Sequence, residues 1–204
     1  MPPAGLAARG SLLVLATSNH DKVREIRAIL GNVPYELVGL DRFPPIAPPE
    51  ENGRTFAENA RLKALAYASA TGQLVVAEDS GLEIDALDGA PGVESARFGG
   101  ADATYPQKFG LIFDALRDRG AADGRARFVC ALALARAGRV LFEARGTIEG
   151  TIAPEPRGRG GFGYDPIFFY APFGRTLAEA TPEEKAAVSH RGQAFRELRR
   201  YLEG

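Results

Sequence analysis

The chain has 204 residues, 45% of them hydrophobic and 25% charged, with a formal net charge of -1, which fits one large domain or two small lobes and gives no general pull toward nucleic acid or an anionic membrane. A single cysteine, Cys130, excludes an internal disulfide and any cysteine-based zinc cluster, and it suits a reducing cytoplasm. No apolar run approaches the roughly 18 residues that span a bilayer, and the stretch 12–16 is too short for a signal-peptide core, so the expectation is a cytoplasmic protein.

Residues 1–10, rich in Pro, Ala and Gly, read as a loose tail, and 11–16 as a buried strand. In 21–30 the residues Val23, Ile26, Ile29 and Leu30 fall at helical spacing, and Gly31 closes the helix. A second strand is expected at 35–40, then a proline-laden loop at 43–53. Thr55 and Glu58 form a capping box for an alanine-rich helix that stops at Gly72 and carries Asn59 and Lys63 on one face. The apolar residues 74–76 form a strand that runs into Glu78-Asp79-Ser80-Gly81, where charge is expected at its exit, followed by a second short strand through Ile84. A glycine-proline loop at 87–100 precedes a helix at 104–119, and 128–136 pairs with 139–148 as a hairpin across Ala137-Gly138. Within it Cys130 lies among apolar residues as a core thiol. A glycine-rich loop at 157–163 leads into a strand at 167–170, Thr181-Pro182 opens a helix, and Ser189 caps a last one striped by Ala194, Phe195, Leu198, Tyr201 and Leu202. Helices and strands alternate early and strands dominate the middle, so a mixed sheet flanked by helices is the expected α/β architecture.

Polar segments interrupt these elements where chemistry could reside. Thr17 to Lys22 joins a strand to a helix, where free N–H groups and a lysine make a phosphate seat, or simply a helix start capped by Asn19. Carboxylates at Glu51, Glu78 and Asp79 are the hard oxygen ligands magnesium prefers. Gly158, Gly160 and Gly163 match a dinucleotide-binding spacing, but prolines precede them where a strand is required and a strand follows where a helix is required. The two histidines of the chain, His20 and His190, both fall in polar segments, and His190-Arg191 lies at a helix start suited to an anion or a base carbonyl oxygen.

Taken in chain order, the strings Thr17-x-Asn19-x-x-Lys22, Glu51-x-Gly53-x-Thr55-Phe56-x-x-Asn59-Ala60-x-x-Lys63-Ala64, Asp79-Ser80-Gly81-Leu82, Gly89-Ala90-Pro91-Gly92-Val93-x-Ser95-Ala96-Arg97, Gly161-Phe162-Gly163-Tyr164-Asp165-Pro166-Ile167-Phe168 and Ser189-His190-Arg191 resemble the inosine triphosphate pyrophosphatase family. The resemblance covers nearly all of the chain beyond its tail; where the family often has Asp-Asp before the Ser-Gly pair, this chain has Glu78-Asp79. It implies an elongated fold of two lobes around a deep substrate cleft, crossed by a long mixed sheet and usually homodimeric. It implies hydrolysis of ITP, dITP or XTP between the α- and β-phosphates, giving a nucleoside monophosphate and pyrophosphate. Asp79 would be the general base and, with Glu51, a ligand of Mg²⁺ (Mn²⁺ as a substitute). Thr17, Ser18, Asn19, His20, Asp21 and Lys22 would clasp the phosphates beside Ser80. In the glycine loop Phe162 would stack on the purine beside Gly163 and Tyr164, while Asp165, Lys185, His190 and Arg191 would read its edge.

Two rivals compete with this reading: a Maf-type pyrophosphatase acting on modified pyrimidine nucleotides, and a nucleotide sensor without activity. A serine hydrolase built on Ser80 or Ser189 is disfavoured because neither sits in a nucleophile-elbow pattern.

Overall fold

The computed structural model describes residues 11–121 and 124–204; the expected tail at 1–10 lies outside the described residues. The strands are β1 (Leu12–Leu15), β2 (Glu36–Gly39), β3 (Leu74–Ile84), β4 (Arg125–Arg136), β5 (Arg139–Ile152), β6 (Phe168–Tyr170) and β7 (Arg175–Thr176). The helices are α1 (His20–Leu30), α2 (Phe56–Thr71), α3 (Tyr105–Asp118), α4 (Pro182–Val188) and α5 (His190–Glu203). The strands form one mixed sheet in the order β2-β1-β3-β4-β5-β6-β7. β1 pairs in parallel with both β2 and β3, whereas β6 is antiparallel to β5 and to β7. The expected α/β class with a mixed sheet is the one observed. Two compact units divide the chain, and the divisions fall within β3, β4 and β5 and between α4 and α5.

The first unit comprises the described residues up to Asp79 together with Cys130–Gly146 and His190–Gly204. Its parts of β3 and β4 are buried on both faces, and the period of two decides which helix each residue meets. Leu13, Leu15, Leu74, Val76, Cys130 and Leu132 pack with Ile26 and Leu30 of α1 and with Phe195 and Leu198 of α5. Val14, Val75, Ala77 and Ala133 point the other way, onto Ala60, Ala64 and Ala68 of α2. Alanines on α2 let that helix lie close to the sheet, and the capping box of Thr55 and Glu58 fixes its start.

The second unit, Ser80–Val129 with Thr147–Ser189, has its own core of Leu82, Ile84, Phe109, Ile112, Phe128, Ile148, Tyr164, Ile167 and Phe168.

Two local expectations needed correction. Glu78 and Asp79 do not sit at a strand exit, because β3 continues without interruption to Ile84. The Ser80-Gly81 pair is strand rather than turn: a Cβ at Gly81 would meet Ser95 Oγ at 2.3 Å, and that hydroxyl accepts from Leu82 N at 2.9 Å. Here glycine admits a close neighbour instead of a bend. The hairpin between β4 and β5 turns where expected, with Ala137 and Gly138 both at positive φ, but β5 runs on to Ile152.

A second close approach places α5. A Cβ on Gly146 of β5 would stand 2.0 Å from the carbonyl oxygen of His190, the first residue of α5. Gly146→Ala should therefore push that helix start away from the sheet and cost about 1–3 kcal/mol, read as a lower urea midpoint with an unchanged m-value.

Candidate active site

The first unit gathers most of the acids and bases singled out in the sequence. The pleat of β3 sends Glu78 to the face of α1 and α5 and Asp79 to the face of α2, so the two neighbouring carboxylates have separate partners. Both are buried. A buried carboxylate is costly unless paired and hydrogen-bonded, and each of these is.

On the α2 side, Asp79 Oδ1 accepts from Lys63 Nζ at 3.1 Å and Oδ2 from Asn59 Nδ2 at 3.1 Å. Lys63 Nζ also donates to Glu51 Oε2 at 2.9 Å, so one ammonium holds the carboxylates of residues 51 and 79 together. Asn59 is oriented by its other end, where Oδ1 accepts from Gly53 N at 2.8 Å, and a Cβ on Gly53 would press into that oxygen at 2.6 Å. Burial pushes the Asp79 carboxyl above its ordinary value, and the opposing pull of Lys63 and Asn59 offsets this only in part. Burial acts against charge on Lys63 too, yet Asp79 and Glu51 outweigh it and raise its affinity for the proton.

On the α1 and α5 side, Lys22 Nζ reaches Glu78 Oε1 at 2.6 Å. Arg191 Nη2 lies 3.4 Å from Glu78 Oε2, its Nη1 donates to Glu25 Oε2 at 2.7 Å, and Cys130 Sγ donates to Glu78 Oε2 at 3.3 Å. Burial disfavours the Glu78 charge, but Arg191 and Lys22 prevail and hold its carboxyl well below the usual carboxylate range. Burial, reinforced by Glu78, pushes the Cys130 thiol up, so the core thiol is inert as expected.

The strand-to-helix segment takes the capping role considered for it. Asn19 is the N-cap of α1, its side chain accepting from Asp21 N at 2.9 Å and Lys22 N at 3.1 Å. Thr17 Oγ1 in turn accepts from Asn19 N at 3.2 Å, Asp21 pairs with Arg24, and Ser18, Asn19 and His20 are exposed. An exposed, capped helix start with Lys22 beside it retains the properties of an anion seat.

The second unit builds a compact cluster on the glycine loop. Asp165 Oδ2 accepts from Phe162 N at 2.8 Å and from Lys185 Nζ of α4 at 2.5 Å. Gly161 and Gly163 stand at positive φ, and a Cβ at Gly161 would collide with Asp165 Oδ2 at 2.1 Å. Lys185 Nζ lies 4.5 Å from the Phe162 ring centroid, and Tyr164 anchors the loop by donating to Ser95 O at 2.9 Å. Phe162, Gly163, Tyr164, Asp165 and Lys185 thus form one group within this unit, to which Ser80 also belongs.

Several expectations change in detail. Among the described residues Glu78 shares no hydrogen-bond partner with Asp79, since it faces the opposite side of the sheet. Arg191 is 2% exposed and held by Glu25 and Glu78. Sequence reasoning did not name Glu25 and left Asn59 and Lys63 without a role. Glu25 falls one helical turn after Lys22, so spacing alone marks it as a neighbour on the same face.

Among the described residues there is no group of three or more His, Cys, Asp or Glu side chains able to cage a metal. The donor set nevertheless fits a magnesium-type ion, which takes one or two carboxylates and fills its octahedron with water and substrate phosphate. Glu51 and Asp79, both paired with the Lys63 ammonium, are the two carboxylates that would be available to such an ion.

Removing the Lys63 charge should leave burial of Asp79 opposed only by the hydrogen bond from Asn59. In Lys63→Met protein without metal, the Asp79 carboxyl should titrate at higher pH than in the parent chain, as read by carboxyl ¹³C NMR.

Comparison with known proteins places this geometry in a family. The model of the Ham1 family matches residues 13–201. The chain is 47% identical over 186 residues to the dITP/XTP pyrophosphatase of Exiguobacterium sibiricum, covering 91% of this chain and 94% of the relative. It is 49% identical over 186 residues to the dITP/XTP pyrophosphatase of Gloeobacter violaceus, covering 91% of each. Among solved structures, a HAM1 protein from Coxiella burnetii superposes with a TM-score of 0.87 at 41% identity, covering 94% of this chain and 98% of the other. A nucleoside-triphosphatase, or dITP/XTP pyrophosphatase, from Mycobacterium abscessus gives 0.75 at 41% identity, covering 91% and 97%. The match to the family model, over nearly the whole described chain, and these relatives agree with the resemblance in the motifs: the chain belongs to the Ham1 family.

Proposed function

We propose that this chain hydrolyses the triphosphates of non-standard purine nucleosides, such as ITP, dITP and XTP, to the nucleoside monophosphate and pyrophosphate. The observation that carries the reading is Asp79: a buried carboxylate with a raised proton affinity, aimed by Asn59 and Lys63 and placed beside Glu51. A base has to accept a proton from the attacking water near neutral pH, and a carboxyl raised by burial accepts it more readily. Relatives named dITP/XTP pyrophosphatase support the substrate class.

Within this reading water attacks the α-phosphorus, Asp79 takes its proton, and pyrophosphate leaves. Thr17, Ser18, Asn19, His20, Asp21 and Lys22 hold the phosphates at the start of α1, with Ser80 as a further contact. Glu51 and Asp79 would hold the divalent ion, Mg²⁺ by preference and Mn²⁺ as a substitute. Such an ion acidifies water and offsets charge on the leaving group. Phe162 stacks on the base; Lys185, oriented by Asp165, and His190 with Arg191 read its edge. A 6-keto purine offers an oxygen to these donors, whereas adenine presents an amino group that would stay unmatched. The working state we propose is a cytoplasmic homodimer.

Incubation with ITP and Mg²⁺ should yield IMP and pyrophosphate in equal amounts, and protein stripped with EDTA should be inactive until Mg²⁺ or Mn²⁺ is restored. Release of inorganic phosphate, preference for pyrimidine nucleotides, or full turnover without metal would each contradict the assignment.

Asp79→Asn keeps the shape and one acceptor of the side chain while removing its basicity. Turnover of ITP should fall at least about 10²–10⁴-fold while thermal stability stays close to that of the parent chain. Activity within about tenfold of the parent would remove Asp79 from the role of base.

A further inference from the structure

The buried carboxylate of Glu78 is not used in the mechanism above, yet it touches two residues assigned to the substrate. Its side chain is 2% exposed, and around it stand Lys22 of α1 at 2.6 Å, Arg191 of α5 at 3.4 Å and Cys130 of β4 at 3.3 Å. Glu25 of α1 completes the group by accepting from Arg191. Two cations and two carboxylates alternate, so the charges sum to zero without any ligand. Residues from three separate elements, α1, β3 and α5, therefore share one electrostatic centre.

We propose that Glu78 is a positioning residue for the triphosphate, fixing the Lys22 ammonium at the start of α1 before the phosphates arrive. This rests on the reading of Lys22 as a phosphate ligand. Lysine has a flexible four-carbon stem, and holding it in one rotamer in advance removes an ordering cost from binding. An ammonium has three donors, so a bond to Glu78 leaves others for phosphate oxygens. Lys22 is placed for this: its side chain is 20% exposed while its partner is buried, so the charged tip is anchored from beneath and still open to solution. Arg191 neutralises the same carboxylate from the other side, which blunts the repulsion Glu78 would otherwise exert on a polyanion. Cys130 helps fix the carboxylate by donating to Oε2, while Lys22 sits on Oε1.

The effect of Glu78 on inorganic tripolyphosphate decides the matter, because the two physical alternatives have opposite signs. If the residue acts only as a negative charge near the seat, Glu78→Gln should bind tripolyphosphate more tightly. If it positions Lys22, Glu78→Gln should bind about tenfold more weakly, and the same variant should raise KM for ITP by a similar factor with kcat changed little. Glu78→Asp keeps the charge but withdraws it by one methylene, and should fall between the two. It also provides the measurement if the glutamine variant does not fold. Calorimetry with tripolyphosphate at fixed salt, beside steady-state kinetics with ITP, gives both readouts. Tighter or unchanged tripolyphosphate binding in folded variants, or a loss confined to kcat, overturns the proposal. Failure of the substrate assignment is distinguishable, since the parent chain would then bind tripolyphosphate yet leave ITP intact.

Discussion

The alternation of side chains along β3 is the constraint from which the first unit's chemistry follows. Successive residues of a strand point to opposite faces, so two adjacent carboxylates at 78 and 79 cannot share the same direct partners. Each was therefore given its own counter-ions by a different helix. Lys63 and Asn59 come from α2, four residues and about one turn apart; Lys22 comes from α1 and Arg191 from α5. A shift of register by one residue would exchange Glu78 and Asp79 between those helices and mismatch two acids with three cations. The apolar residues before them, from Leu74 to Ala77, lock that register by filling both layers of core.

The two acids occupy different electrostatic regimes although they are neighbours in sequence. Glu78 has a guanidinium and an ammonium against it, and its charge is held firmly. Asp79 has one ammonium that it shares with Glu51, and burial prevails over that partial compensation. The firmly held charge suits a structural anchor and the less compensated one suits proton transfer. The difference arises from the count of cations on each side of the sheet rather than from the kind of acid.

Much of this was legible in the sequence because it is local. The capping box at Thr55, the hairpin turn at Ala137-Gly138, the helical stripe of α5 and the cap at Asn19 are all set by residues a few positions apart. The sequence could also show that Asn59 and Lys63 share a face. What it could not show was the object that face meets, because Lys63 and Asp79 are brought together by packing of α2 on the sheet. The misjudged strand exit has the same origin. Glycine after a polar run ordinarily signals a turn, and only the distant Ser95 reveals that Gly81 instead makes room for another segment. No local sign in the sequence shows that Glu25, far away in the chain, lies beside Arg191.

Asn59 shows how little chemical latitude such a buried site leaves. Its amide presents a donor to the Asp79 carboxylate and an acceptor to the Gly53 backbone, at opposite ends of one planar group. Aspartate has nearly the same outline, but when ionised it would turn an attractive contact with Asp79 into a repulsive one. Leucine fills similar space but would abandon both the carboxylate and the backbone N–H. Glutamine carries the right pair of groups on a stem too long for a neighbour that already touches it at Gly53. The position thus favours asparagine over these three near neighbours by polarity and length together, even though nothing about an asparagine inside an alanine-rich helix would draw attention to it.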